Sequence, residues 1–546
     1  MAMFVDRIHA ERDRIDEEIR KLQGRILELC SARNQLAPVA QLPNEILTKI
    51  FCLARNATPP PCGWTSLTVS WVCRHWRLVA LRFPHLWTII DFPNRDWMEG
   101  FLLRSGQGAL YINIPHIGPG ALSAVPLFLL YLPRIVSLDL GASGRTYVCA
   151  TNWDFTPAPN LQSLTLRNFT LSNNIFSGNY PSLRDLSLNT CVADWIQLPI
   201  SSDLVGLHII NPASSTSTAI LAGILGFLPK LEILELARTL LEEDGPGPNN
   251  LPRIPLLNLR TLKIQHEACN SALALFPRLS IPPSAQVSLL LRPEDPDEFS
   301  DTILAVQGCR LHPAWHISQL TFNVGNRLQI LLGEACTDTR QFTWINFSFL
   351  LPSEIREELN TQNIMDICHS LHLANLQSFE IGGKLSPYDP GLWHTTLGNL
   401  PRLYNLKAYD HFARQFLRYL NDEAKKLMAA EQTNPLGSSQ HRPAFRTLQS
   451  LVLANLRDKA PQYEDITRLR WALGPRKIYL ERLPKLVLTV GSALPPEVIG
   501  SFGHVVGEFL QMLAPPGQGD SGDQDEDSED EREAEDDDED DDDDDD

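Results

Sequence analysis

The sequence predicts a mixed α+β or α/β solenoid, with helical segments leading into a stack of strand-bearing repeats. Three observations predict it. A short leucine phrase recurs along most of the chain, two helical apolar stripes precede it, and acidic residues crowd into a tail from Asp520.

The phrase is an apolar residue, two further residues, Leu, one residue, then a second apolar residue. It reads Ile135-Leu138-Leu140, Leu161-Leu164-Leu166, Leu183-Leu186-Leu188, Leu204-Leu207-Ile209, Leu231-Leu234-Leu236 and Leu259-Leu262-Ile264. Successive copies start 26, 22, 21, 27 and 28 residues apart. Weaker copies follow at Ile317-Leu320-Phe322, Leu376-Phe379-Ile381, Leu403-Leu406-Ala408 and Leu448-Leu451-Leu453. Pro159, Pro181, Pro229 and Pro401 lead several of them. Alternation within a phrase marks a strand with one buried face. One unit cannot cover its own leucines but a neighbour can, so the units are expected to stack.

That period falls in the leucine-rich-repeat range. The repeats of that family usually carry Asn or Cys three residues after the last apolar position. Here only Cys191 fits the slot, while Ser143, Phe169, Pro212, Thr239 and Glu267 fill it elsewhere. A regular side-chain ladder is not expected, and the curvature of the arc is left open.

Later segments read as helices. Phe416, Leu417, Leu420, Ala424, Leu427 and Met428 share one helical face, and a loop runs from Gln432 to Ala444. Val498, Ile499, Phe502, Val505, Val506, Phe509, Leu510 and Leu513 form a wide stripe. That stripe predicts a capping helix over Pro496–Leu513.

Upstream of the repeats, Ile8, Ile15, Ile19, Leu22, Ile26, Leu29 and Leu36 follow a heptad with gaps at Arg12 and Arg33. This spacing suits either a short coiled coil, with self-association through residues 8–36, or an amphipathic helix packed on its own domain. Pro38 ends it.

A second helical pattern opens at Leu42-Pro43-Asn44-Glu45-Ile46-Leu47-Thr48-Lys49-Ile50-Phe51. Pro43 suits a first helical turn, and Glu45 is favourable near a helix N-terminus. In Leu67–Ala80, Leu67, Trp71, Cys73, Trp76, Val79 and Ala80 recur at helical spacing, and Pro84-His85-Leu86-Trp87 closes the segment. Together these residues resemble the F-box, whose pattern is Leu-Pro-x-Glu-[Ile/Leu]-Leu-x-x-Ile-Phe, then Val-Cys-[Arg/Lys]-x-Trp-Arg, then Leu-Trp. The resemblance implies a three-helix module that docks on a Skp-type adaptor. It gives adaptor-facing or module-packing roles to Leu42, Pro43, Ile46, Leu47, Ile50, Phe51, Val72 and Trp76. In this chain 21 positions separate Phe51 from Val72 and include Pro59, Pro60 and Pro61, so a lengthened loop between helices is implied. An F-box followed by leucine-rich repeats is similar to the substrate receptors of SCF ubiquitin ligases. Those receptors join an adaptor and a cullin and hold a protein substrate.

Charge and composition narrow the alternatives. Net charge is −19, but residues 520–546 hold 21 Asp and Glu against Arg532 alone. The first 519 residues therefore keep 46 basic and 45 acidic side chains out of totals of 47 and 66. No broad basic face for nucleic acid is expected. The tail cannot fold alone, and it reads as disordered, solvating, or a bait for basic partners.

The ten cysteines form no C-x-x-C pair, so no metal knuckle or redox motif is expected and reduced thiols are. Met1–Arg14 carries charges where a secretory apolar core belongs, and no apolar run approaches the ~18 residues of a membrane span. A soluble intracellular protein, cytoplasmic or nuclear, is the expectation, without membrane or nucleic-acid partners. No phosphate loop, dinucleotide fingerprint, zincin or nucleophile-elbow motif occurs, so neither catalysis nor a cofactor is expected.

The expected layout is a coiled-coil-like helix over 1–37, an F-box over 38–92 and a connector over 93–131. Irregular repeats then fill 132–513, and the acidic tail takes 514–546. The expected role is substrate recognition in an SCF-type ligase, with the substrate unread. The alternative is a non-catalytic scaffold whose acidic tail binds basic partners.

Overall fold

The computed structural model describes residues 2–58, 63–92, 94–118, 125–143, 147–149, 151–241, 253–309, 316–335, 342–385, 388–433, 443–456, 464–479, 483–490 and 494–513. The Pro59-Pro60-Pro61 loop, most of the loop from Gln432 to Ala444 and the acidic tail lie outside them. The fold is mixed α/β, dominated by mostly parallel sheet, and divides into two units, Met1–Leu376 and Gln377–Asp546.

The first unit opens with α1 (Ala2–Gln35), α2 (Asn44–Ala57), α3 (Gly63–Val72), α4 (Arg74–Leu81) and a 3-10 turn over Pro84–Trp87. Strand β1 (Ile89–Ile90) and helix α5 (Arg95–Arg104) follow. Next come β2 (Leu110–Ile117), β3 (Ile135–Ala142), β4 (Ser163–Arg167), β5 (Asp185–Asn189), β6 (Gly206–Ile210), β7 (Ile233–Ala237), β8 (Thr261–Ala268) and β9 (Gln286–Arg292). Each pairs in parallel with the next in chain order.

The six strong phrases coincide with β3 to β8. In register, Leu138, Leu164, Leu186, Leu207, Leu234 and Leu262 make one row, and Leu140, Leu166, Leu188, Ile209, Leu236 and Ile264 make the next. Every residue in both rows is at most 3 % exposed. Burying one such side chain contributes roughly 1.5–3 kcal/mol, so the rows are the spine of this unit. The ladder starts earlier than the phrases indicate, because β1 and β2 already belong to it: the end of the stretch expected as an F-box supplies β1, and the stretch expected as a connector supplies β2.

Past five of the six phrases, all but the first, the backbone turns left-handed. Asn168, Thr190, Asn211, Arg238 and His266 all have φ between 47° and 61°. The N–H groups of Asn168, Thr190 and Asn211 still reach the last carbonyl of the next strand, at 2.8–3.0 Å, and that of Arg238 reaches the Gln265 carbonyl within β8 at 3.1 Å. Asn tolerates this region; Thr, Arg and His are held there by the surrounding pairing. The slot residues also do more than expected. The Cys191 thiol donates to the Leu166 carbonyl at 3.3 Å, and Glu267 is buried against the slot residue of the preceding repeat.

The Ile317-Leu320-Phe322 copy departs from the repeat reading. It lies on β10 (Ile317–Val324), which pairs antiparallel with β11 (Arg327–Ala335) across Gly325-Asn326. Strand β11 is in turn antiparallel to β12 (Phe342–Leu350), and β12 returns to the ladder in parallel with β9. Gly and Asn between two apolar alternations favour a hairpin, which the leucine spacing alone concealed.

In the second unit, β13 (Ser378–Gly383), β14 (Asn405–Tyr409), β15 (Ser450–Leu456), β16 (Leu483–Val490) and β17 (Val506–Leu513) form a parallel sheet in chain order. The helix predicted around Phe416–Met428 spans Asp410–Thr433, and only Met428 of its stripe is exposed. The capping helix over Pro496–Leu513 is corrected. Helix forms only over Pro496–Phe502, residues 503–505 make a turn, and Val506–Leu513 is strand β17. Gly503 caps the helix, β-branched Val505 and Val506 favour extension, and Gly507 presses on the Pro484 carbonyl, where a Cβ would come within 2.8 Å.

Among the described residues, no helix is long and apolar enough to cross a membrane.

Candidate docking surface

Helices α2, α3 and α4 with the Pro84–Trp87 turn build a small module whose centre is aromatic. Phe51 packs against Trp76 with centroids 4.9 Å apart and the rings tilted by 53°. Trp87 meets Phe101 edge-on at 4.9 Å, and its indole N–H donates to the Ala80 carbonyl at 2.8 Å. Buried Arg55 donates to the His85 carbonyl at 2.7 Å and the Leu86 carbonyl at 3.3 Å, tying α2 to the turn. The Ser66 hydroxyl donates to the Leu86 carbonyl at 2.8 Å.

The eight residues singled out from the sequence separate into two groups. Leu47 and Phe51 are fully buried and Trp76 is half-buried, so these hold the module together. Pro43, Ile46, Ile50 and Val72 are exposed and Leu42 is half-buried. Val72 was expected to pack a helix. At 58 % exposed it does not, because the run expected as one helix breaks at Cys73. That residue is extended, and its sulfur accepts the Trp76 N–H as the N-cap of α4. Trp71 likewise points outward, its ring edge-on to Trp97 at 6.2 Å.

Helix α2 therefore carries two apolar stripes. One, Leu47 and Phe51, is buried. The other, Ile46, Ile50 and Leu53, follows i, i+4, i+7 and stays exposed, at 41 %, 37 % and 68 %. Leu53 was missed in the sequence, although its spacing from Ile46 and Ile50 signals it. Trp64, Leu78 and Leu81 are further exposed apolar side chains here. Over residues 39–92, Lys49, Arg55, Arg74, Arg77 and Arg82 stand against Glu45 and Asp91, a surplus of three positive charges.

The outward face of the β3–β8 ladder is polar. One register row holds Asp139, Thr165, Ser187, His208, Glu235 and Lys263. Arg167 pairs with Asp139 at 2.5 Å, and Glu235 binds both His208 at 3.0 Å and Lys263 at 2.5 Å. Burial pushes the Glu235 carboxyl up, but Lys263 and His208 outweigh it and hold it below its ordinary range. Burial pushes Asp185 up, with His208 and Arg184 partly opposing. At the C-terminal ends of the strands, His266 is held below its ordinary pKa by burial and by Arg238, Arg292 and Arg327.

Burial raises the thiol pKa of Cys191 to about 11 and raises those of Cys269 and Cys368 as well. Among the described residues no group of His, Cys, Asp and Glu is placed to hold a metal ion. The described residues thus present an apolar surface on the helical module and a polar one on the ladder. No protein-family model matches the chain, and no curated protein matches it.

Proposed function

We propose that the chain is the substrate-recognition subunit of an SCF-type ubiquitin ligase. On this reading residues 38–92 are an F-box that docks on a Skp-type adaptor and through it a cullin. The strand ladder is an irregular leucine-rich-repeat solenoid that holds a protein substrate. The observation that carries the reading is the second stripe of α2. A lone module has no use for exposed Ile46, Ile50 and Leu53 beside a complete core, whereas a partner helix or sheet would bury them. The receptor contributes position rather than chemistry, by raising the local concentration of a substrate lysine.

The test is binding of the purified full chain to a purified Skp-type adaptor. Stable association is expected, with loss on Leu42→Asp combined with Pro43→Ala. An intact chain that ignores the adaptor, or a double variant that binds it unchanged, sinks the reading.

The tail composition favours a second reading, a scaffold that gathers basic partners. It predicts that deleting residues 520–546 removes the main partners and that high salt does the same.

A further inference from the structure

We propose that α1 is one half of a parallel two-stranded coiled coil formed with a second copy of this chain. Its 34 residues place Ile8, Ile15, Leu22 and Leu29 at one set of heptad positions, continued by Leu36 just past the helix end, and Arg12, Ile19, Ile26 and Arg33 at the other. The apolar members of this seam are 45–80 % exposed although the rest of their own chain is present. A helix that packed on its own domain would have buried them. The seam runs for four heptads, about 42 Å at ~1.5 Å per residue.

The occupant follows from the chemistry of the seam. Its centre alternates β-branched Ile19 and Ile26 with Leu22 and Leu29, the arrangement that favours two parallel strands over three or four. Arg12 interrupts the apolar series. In a parallel pair with aligned ends, each Arg12 lies beside Glu11 of the second copy and near its Asp16, so the interruption is compensated by opposite charge. Such a polar layer also fixes register. Arg33 falls in the last helical turn, two residues before Gln35, where helix ends fray. Outside the seam Arg25 pairs with Glu28 at 2.9 Å and Arg20 pairs with Glu17, while Glu11, at the seam's edge, also holds Arg14 of its own helix at 3.1 Å. Isolated helices of ordinary composition are marginal in water, and a second strand supplies the missing burial.

Only residues 36–43 separate α1 from α2. A pair of α1 helices would hold two helical modules close together and offer two docking sites to one assembly.

Sedimentation velocity of the full chain tests this. The expected species at micromolar concentration has twice the mass of the 61.3 kDa chain. Ile19→Lys with Ile26→Lys yields the monomer and, because both sites are exposed, leaves the urea midpoint of the remaining chain unchanged. Arg12→Ile tightens association tenfold or more, since about 1.4 kcal/mol is one decade. In a Cys30→Ser background, an Ile15→Cys variant gains an oxidative link between the two copies if the strands are parallel and in register, whereas an antiparallel pair sets position 15 beside position 29. A monomeric full chain, a trimer, a dimer that survives the double substitution, or an Ile15→Cys chain that gains no cross-link overturns the proposal.

Discussion

Glu267 Oε1 accepts the Thr239 backbone N–H at 2.5 Å and the Thr239 hydroxyl at 2.8 Å, and Oε2 accepts the Leu240 N–H at 3.1 Å. Both residues occupy the turn slot of adjacent repeats, so a carboxylate does here what an asparagine side chain does in regular arrays. Replacing it by Ala strands two buried amides and is expected to cost about 2–5 kcal/mol in urea unfolding, since each buried unsatisfied group costs ~1–3 kcal/mol. Glu267→Gln keeps one acceptor and costs less.

The same residue predicts a pH signature. Burial raises its folded pKa, with hydrogen bonds from Thr239 and Leu240 opposing. Protonation therefore favours the folded state. The contribution is full below the ordinary Glu range and disappears as pH rises through the folded value. Subtracting the Glu267→Gln stability profile from that of the parent should isolate this downward step; an upward step means the shift has the other sign.

His266 titrates with the opposite sense. Its folded pKa is lowered by burial and three arginines, so the unfolded chain takes the proton first. Stability is expected to fall as pH drops from neutral through the ordinary His value of 6.5 toward the folded value. By NMR, Arg238→Gln should move the His266 midpoint upward.

Neighbouring positions on α2 should behave as opposites. Phe51→Ala is expected to cost about 3–5 kcal/mol, as for a buried aromatic. Ile50→Glu is expected to change stability by no more than ~0.5 kcal/mol, as for a surface site, and, on the proposed reading, to abolish adaptor binding. Chemical unfolding beside a binding titration separates the two. Equal loss of stability in both variants would show that Ile50 belongs to the core.

A backbone contact supplies a further check. Strands β2 and β3 lose register between Ile114 and Ile117, and this brings the Pro115 carbonyl so near Gly141 that a Cβ there would lie 1.9 Å from its oxygen. Gly141→Ala must push the strands apart. A loss of at least ~1–3 kcal/mol is expected, as for overpacked sites, with amide exchange fastest at β2 and β3.

How much of this was legible follows from the kind of signal each residue carries. The leucines of β3–β8 alternate with polar residues, so the strands could be read and the two rows counted. Strands β2, β9, β11 and β12 carry similar alternation but not the leucine phrase, and they escaped. Burial on α2 divided cleanly at Leu47 and Phe51 against Ile46 and Ile50, because a stripe can be read from spacing while its partner cannot. The break at Cys73 was hidden because Leu67–Ala80 keeps helical spacing through it. Glu267 looked like a failed ladder position, because an acid in a turn is ordinarily solvated and only its depth reveals the hydrogen bonds.

The β9–β12 pairing has a consequence for how the first unit assembles. Leu234 and Leu262 are 28 positions apart, and most rungs of the ladder close loops of that size. Val287 meets Ile345, 58 positions on, with the hairpin strands lying between. Doubling a loop adds only about 0.6 kcal/mol of closure entropy, but that entropy is spent before the rung returns any contact energy. Folding can therefore spread quickly from rung to rung as far as β9 and wait there for the hairpin. Intermediates caught during refolding should carry an ordered β2–β9 block with β10–β12 still unpaired.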